Sequence, residues 1–422
     1  MKGSGSPSKK DDDGDTNNTK KSDNSEESEK SSRKENWKVV DTLQESTAVL
    51  PILAVTLWIG WMGFLIYATI GICVWGTTIV KMIYFGLCTL SLVLPPDFPK
   101  AYGKPVWGRW IMLHAARYFG LKTTVEDPQA LEDCFTQTNQ ATTGAVMFAK
   151  EPHDVLPYSI FCFADALSHR ILPSNYTSNT NTDTDKASAL VASTEDGMAG
   201  LVTGAVFKLP IIRQVYTWMG TKPVNKKTFR SRLENGQAFC FIPGGAEEVL
   251  MLAQMQQQQL QPPQSTNGNN SNNNNNNSNN CIPLYLKHRK GFVKMALDTG
   301  SPIVPVFAFG LDKSYTYLIL PGLTWISTQL LGFVPVLFVG RFGIPFGIPK
   351  PTKISVVIGT PILIPKFSDL QQEQQQENEK EGVMMSDLVE KYHQMYVEEL
   401  EALYERHKHD NEGYSHRKLM IF

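Results

Sequence analysis

Charge is almost absent from one long stretch of this 422-residue chain, and apolar side chains are almost absent from another. Between Ala48 and Leu94 only Lys81 carries a formal charge. A surface helix of a soluble domain keeps a polar face, so this lack excludes an ordinary surface helix here. A bilayer-spanning helix uses about 20 apolar residues, and the stretch is about twice that long. Gly71 and Gly76 lie near its middle and offer a turn. Residues 48–94 are therefore expected to form a helical hairpin that crosses or re-enters a membrane with both ends on one side. Lys81 would snorkel to an interface. Lys34 and Lys38 ahead of the stretch, and Lys100, Lys104 and Arg109 behind it, favour the cytosolic side for both flanks.

The opposite lack marks residues 1–36, where Ser, Asn, Lys, Asp and Glu dominate. Such a segment cannot bury enough surface to offset its ordering entropy and is expected to be a disordered tail. It contains no apolar run of the kind a cleavable signal peptide needs. Cysteine is scarce: six residues at irregular spacing with no CxxC exclude a disulfide scaffold. A formal net charge of −1 leaves no basic field, and no nucleic-acid partner is expected. His407 and His409 in "ERHKHD" have no third ligand near them in sequence, so no metal site is expected.

From residue 95 to 422 the chain alternates short apolar runs with helical spacing. "GAVMFA" (144–149), "AFCFI" (238–242), "IVPVFAF" (303–309) and "ISVVIG" (354–359) read as buried strands. Helical patterns between them predict an α/β domain with a largely parallel sheet. Leu388, Tyr392, Met395, Tyr396, Leu400 and Leu403 mark one face of a helix expected to pack on that domain. Residues 174–185 read as a polar loop, and the Gln/Asn-rich insert 254–280 as disordered on composition. The uncharged stretch 318–340 is interrupted by Pro321 and Pro335, so it is expected to lie in an interface, not to span it.

Three blocks carry residues suited to chemistry. In "EPHDVLP" the stiff Glu151-Pro152 step sets His153 just beyond a strand end, a usual place for site residues in α/β sheets. An imidazole there suits proton removal at neutral pH or, equally, caps a turn. In "FIPGGAEEVL" a strand runs into Pro243, Gly244 and Gly245, glycines that allow close backbone approach. Glu247 and Glu248 follow at a helix start, a place that favours carboxylates in any protein. In "LKHRKGFVKMALDTG" the cations Lys287, Arg289, Lys290 and Lys294 gather around a helix start. They form either a polyphosphate-binding surface or a solvated basic face.

These blocks, with "RKGFVKMALDTGSPIVPVFAFG" and the closing "LYERHKHDNEGY", resemble the type-2 diacylglycerol acyltransferase family in its plant and algal variety. The resemblance covers roughly residues 48–422, hairpin included. It implies an enzyme of the endoplasmic-reticulum membrane, extending to lipid droplets, with its catalytic domain facing the cytosol. It implies a fatty acyl-CoA co-substrate, no cofactor, diacylglycerol as acceptor and membrane lipid as surroundings; a homo-oligomer is left open. The family's histidine matches His153, and its Pro-Gly-Gly-acidic motif matches Pro243, Gly244, Gly245 and Glu248. His153 is then the expected general base, with Glu248 positioning the imidazole or the acceptor. Backbone amides near Gly244 and Gly245 would steady the oxyanion. Glu151, Pro152, Asp154, Pro243, Gly244, Gly245, Arg289, Lys290 and Gly291 are expected to form the substrate-binding surface.

Two departures accompany the resemblance. Asp154 stands where the family usually has Gly or Ser; it either orients or tunes His153 or is merely tolerated, and in the second case Asp154→Gly is expected to leave substantial activity. The related glycerophosphate acyltransferases carry an Asp where this chain has Tyr158, and a basic residue where Glu247 and Glu248 stand. Carboxylates in that place favour an uncharged acceptor over a phosphate. The same chemistry on a monoacylglycerol, fatty alcohol or sterol remains open, as does, more remotely, a non-enzymatic hairpin protein of lipid droplets.

Overall fold

The computed structural model describes residues 36–98, 106–137, 145–156, 158–160, 198–260, 280–319, 336–373 and 381–422. The expectations for the polar tail, the loop 174–185, most of 318–340 and residues 261–279 of the insert lie outside the described residues.

One eight-stranded sheet organises the unit from Lys38 to Phe422. Its order is β1 (Lys38–Asp41), β2 (Lys122–Val125), β11 (Ser355–Ile358), β8 (Ile303–Phe309), β3 (Met147–Glu151), β6 (Phe239–Phe241), β4 (Ala199–Val202) and β5 (Thr221–Pro223). The five strands β8, β3, β6, β4 and β5 run parallel. β11 is antiparallel to β8 and parallel to β2, while β1 is antiparallel to β2. The α/β class holds, but the sheet is mixed, not largely parallel. Parallel neighbours need a crossover, usually helical. Between β8 and β11 the described chain instead forms a ribbon of β9 (Thr316–Ile319) and β10 (Val336–Val339), and it re-enters the sheet at the end it left, Ser355 pairing with Phe309.

β3 and β8 are buried along their whole length, with alternate residues facing two different cores. Phe148, Val304 and Val306 face one; Met147, Ala149, Ile303 and Phe307 face the other. The second core is covered by α9 (Gly291–Thr299) and α11 (Glu381–His407), whose Tyr396, Leu400, Leu403 and Tyr404 are fully buried. The helix expected around Leu388–Leu403 is α11, packed as anticipated except that Met395 is exposed. At the far end of α11, Glu126 accepts from Arg406 (2.8 and 2.7 Å) and meets the His407 ring (2.9 Å). His407 therefore pins α11 to the loop after β2. No cluster of three metal-ligating residues occurs among the described residues.

The stretch 48–94 divides into three helices: α1 (Val49–Trp58), α2 (Trp61–Trp75) and α3 (Thr78–Val93). α1 belongs to the first core. Val55 and Trp58 are buried there, and the helix packs against α4 (Val106–Phe119). Burying each such side chain contributes roughly 1.5–3 kcal/mol, so α1 is held by the domain. The expected hairpin thus shrinks to α2 and α3, joined at Gly76 and Thr77, with Gly71 inside α2. Thr69 and Tyr84 hydrogen-bond across the pair at 2.7 Å. Both ends are fastened to the domain: Tyr67 donates to the Pro345 carbonyl (2.8 Å), and Ser91 exchanges hydrogen bonds with Gln214 (2.9 and 2.6 Å). α3 buries none of its residues, and Phe64, Ile70, Trp75, Ile79, Met82 and Leu87 are exposed. No described helix is by itself long and apolar enough to cross a membrane; α1 and α2 together are, bent by 68°.

Candidate active site

Because β3, β6 and β8 are parallel neighbours or share one, their carboxyl ends open on the same edge of the sheet. The loops leaving them carry Pro152-His153-Asp154, Pro243-Gly244-Gly245 and Leu311-Asp312. α8 (Ala246–Leu260) starts from the second loop with Glu247 and Glu248 in its first turn. The first two sequence blocks therefore meet, as ligand sites of open α/β sheets do.

His153 and Pro152 are half-buried and form one wall of a pocket with Glu248. Leu252, Ile282, Pro283 and Leu311 give it an apolar lining. Asp312, Tyr414 and Arg417 close the far side. Among the described residues the lining contains no Ser or Cys. Burial, and then the positive charge of Lys150, lower the His153 pKa to about 4, against a small opposing contribution from the Asp154 backbone. The imidazole is thus neutral at physiological pH. Its Nδ1 is shielded from solvent and has no hydrogen-bond partner among the described residues.

Among the described residues Glu248 makes no hydrogen bond to the ring. Its Oε2 accepts from the backbone N–H of His153 (2.7 Å) and its Oε1 from that of Tyr285 (2.8 Å). It holds the His153 loop and the Tyr285 segment through their main chains, tying both to the start of α8. The two glycines follow from this packing. A Cβ on Gly244 would fall 1.8 Å from Glu248 Oε1, and Gly245 has φ +69°, the left-handed region that favours glycine. The Gly244 amide, expected to face an oxyanion, instead donates to Glu151 Oε1 at 2.8 Å.

Glu151 and Asp154, expected at the substrate, are both fully buried and absent from the pocket wall. Asp154 accepts from the Val155 amide (2.7 Å), Tyr158 (3.0 Å), Ser314 (2.7 Å) and Tyr317. Its carboxylate fastens the His153 loop to the segment between β8 and β9 and, among the described residues, makes no hydrogen bond to the imidazole. Burial raises its pKa, and these four donors pull it back. Of the cationic block, Arg289 pairs with Glu247 (2.6 Å) and stacks over Tyr285, and Lys290 pairs with Glu390. Gly291 opens α9 with nothing within 4 Å of an added Cβ.

Several participants were not singled out from sequence. Lys150 is fully buried, and its ammonium donates to the Pro152 carbonyl. A lysine inside an otherwise apolar strand was a readable signal of a buried partner. Tyr414 and Arg417 both reach Asp312, and Gly310 N–H donates to the Tyr414 hydroxyl at 2.7 Å. β12 (Lys418–Ile421) pairs with β7 (Cys281–Leu284), so the end of the chain builds a wall of the pocket. Their signal lay in the "NEGY" of the closing motif. The low-complexity insert also begins later than composition implied. Residues 254–260 are the last turns of α8, and Gln256 binds the Tyr317 amide (3.1 Å) and the Asp312 carbonyl (3.2 Å).

A family model described as diacylglycerol acyltransferase matches residues 272–421. Diacylglycerol O-acyltransferase 2 of Dictyostelium discoideum is 30% identical over 273 residues, covering 62% of this chain and 66% of that protein. The Danio rerio protein of the same name is 28% identical over 279 residues, 62% of this chain and 60% of the other. The human protein is 27% identical over 286 residues, 64% and 58%. The chain belongs to the type-2 diacylglycerol acyltransferase family. It spans about three fifths to two thirds of the curated relatives it matches. A lysophosphatidate acyltransferase structure from Thermotoga maritima aligns with 83% of this chain and 97% of its own at 13% identity, with a TM-score of 0.25, too low to carry a fold assignment.

Proposed function

We propose that the chain transfers a fatty acyl group from coenzyme A to the free hydroxyl of diacylglycerol, forming triacylglycerol. The observation that carries this reading is a neutral, half-buried imidazole in an apolar-lined pocket that holds no Ser or Cys nucleophile among the described residues. Direct transfer then needs one base. His153 takes the acceptor's hydroxyl proton as its oxygen attacks the thioester carbonyl, the C–S bond breaks, and the proton passes to the departing thiolate. Glu248, holding the His153 amide, keeps the base at the pocket wall. The same carboxylate in the lining disfavours a phosphate-bearing acceptor such as lysophosphatidate. Arg289 and Lys290 hold solvent-exposed pairs of the kind that contribute little to stability, so the coenzyme phosphates can displace Glu247 and Glu390 at the open start of α9.

The apolar faces of α2 and α3 support a membrane site. Fifteen helical residues span about 22 Å, short of the roughly 30 Å hydrocarbon core, and both ends are tied to the domain. This favours a re-entrant hairpin at the cytosolic face of the endoplasmic reticulum, or on lipid droplets, that admits diacylglycerol from the bilayer. The purified full chain in lipid nanodiscs, given labelled oleoyl-CoA and a panel of acceptors, is expected to make triacylglycerol from diacylglycerol. Product formed only with monoacylglycerol, fatty alcohol or sterol would reassign the acceptor, and none with any acceptor would remove the enzyme reading. The sequon at Asn175 gives a topological check. It is expected to stay unglycosylated in cells; an endoglycosidase-sensitive glycan there would place the domain in the lumen.

A further inference from the structure

Glu151 poses a hydrogen-bonding problem that the transfer reaction leaves unsolved. Its carboxyl is fully buried at the end of β3. Oε1 accepts from the Gly244 amide, but Oε2 meets no donor among the described residues. The remaining hydrogen-bonding neighbour of this carboxyl is another carboxyl, that of Glu248. Gly244 lies against both: its amide serves Glu151, and a side chain on it would strike Glu248. Two touching carboxylates in a dry site cannot both be ionised, so the pair must hold a proton.

The partners decide where that proton resides. Both oxygens of Glu248 accept backbone N–H bonds, one from His153 and one from Tyr285, the pattern of an ionised carboxylate. Glu151 has one accepting oxygen and one facing an acceptor, the pattern of a carboxylic acid. We infer that Glu151 is a neutral acid whose Oε2–H is donated to Glu248, and that this proton locks the base-bearing loop to the Pro-Gly-Gly loop. Glu151 is thus a positioning residue, acting on His153 through Glu248. The other ionisable groups around it fit this arrangement. The Lys150 ammonium faces the Pro152 carbonyl, Asp154 has its own four donors, Cys240 is buried on β6, and Tyr396 points its hydroxyl at the Ala149 carbonyl (3.5 Å). Burial and the Glu248 charge both push the Glu151 carboxyl well above the ordinary carboxylate range.

The test uses the full chain in nanodiscs. Its activity arm rests on the proposed acyl transfer; its spectroscopic arm does not. The wild-type minus Glu151→Gln infrared difference spectrum is expected to show a carboxylic-acid C=O band that shifts in D2O. The side-chain amide introduced by Glu151→Gln can donate its N–H to Glu248 and accept from Gly244. Turnover is therefore expected within about threefold of wild type, whereas Glu151→Ala, losing a hydrogen bond to a charged group, should fall roughly tenfold to a hundredfold. Glu248→Gln sets an NH2 against a backbone N–H and should not be tolerated. A reversed pattern, with Glu248→Gln mild and Glu151→Gln severe, would put the proton on the other residue. Absence of the acid band from the difference spectrum would overturn the inference, even for a protein inactive on diacylglycerol.

Discussion

His153→Ala is expected to lower triacylglycerol formation by roughly a hundred- to ten-thousandfold, the range that loss of a general base removes. The reason lies in what His153 does not do. Its ring holds no hydrogen bond to another element among those described, and its place in the loop is set by its backbone amide, which alanine retains. The protein should therefore express, melt and fractionate with membranes as the wild type does. The pH profile supplies a second mark. A base must be unprotonated to act, and burial beside Lys150 holds this imidazole near pH 4. The acid limb of kcat/KM is thus expected as the pH falls through about 4, well below the ordinary histidine value near 6.5. A His153→Ala protein with near-normal turnover would reduce the block to a turn and remove the proposed mechanism.

The sequence made the first two blocks legible because their constraints are local. Proline and glycine mark the strand ends, and parallel pairing then brings those ends together without further instruction. The partnerships of the acids were illegible because they are tertiary. Glu151 and Glu248 are far apart in the chain, and only the register of β3 beside β6 brings the carboxyls onto either side of Gly244. The extent of the hairpin is illegible for a related reason. Composition cannot distinguish apolar residues that meet a protein core from those that meet lipid, and α1 packs on α4 while α3 and all but the first turns of α2 stay uncovered. The sheet's mixed direction depends on how the chain returns from β8 to β11, over a stretch that composition read only as an interfacial surface.

Asp154 shows the same limit with the largest consequence for stability. Sequence comparison made Asp154→Gly a return to the family's usual residue and so a mild change. The structure reverses that expectation. Glycine would leave the Tyr158, Ser314 and Tyr317 hydroxyls and the Val155 amide without their common acceptor in a dry interior. Losing hydrogen bonds to a buried charged group costs about 1.5–3 kcal/mol for each one left unreplaced, so even partial rearrangement leaves a loss of about 3 kcal/mol or more. Asp154→Gly is therefore expected to lower the melting temperature and the yield of folded protein, with activity falling in proportion to the folded fraction. Asp154→Asn keeps one carbonyl oxygen, and hydroxyls can rotate to accept from its NH2, so it should recover most of the stability. Tyr317→Phe tests the pairing from the other side: combined with Asp154→Asn it should cost less than the sum of the single changes, because both remove the same contact. An Asp154→Gly protein that melts with the wild type would show that the four donors find other acceptors, and Asp154 would cease to be the pin of the His153 loop.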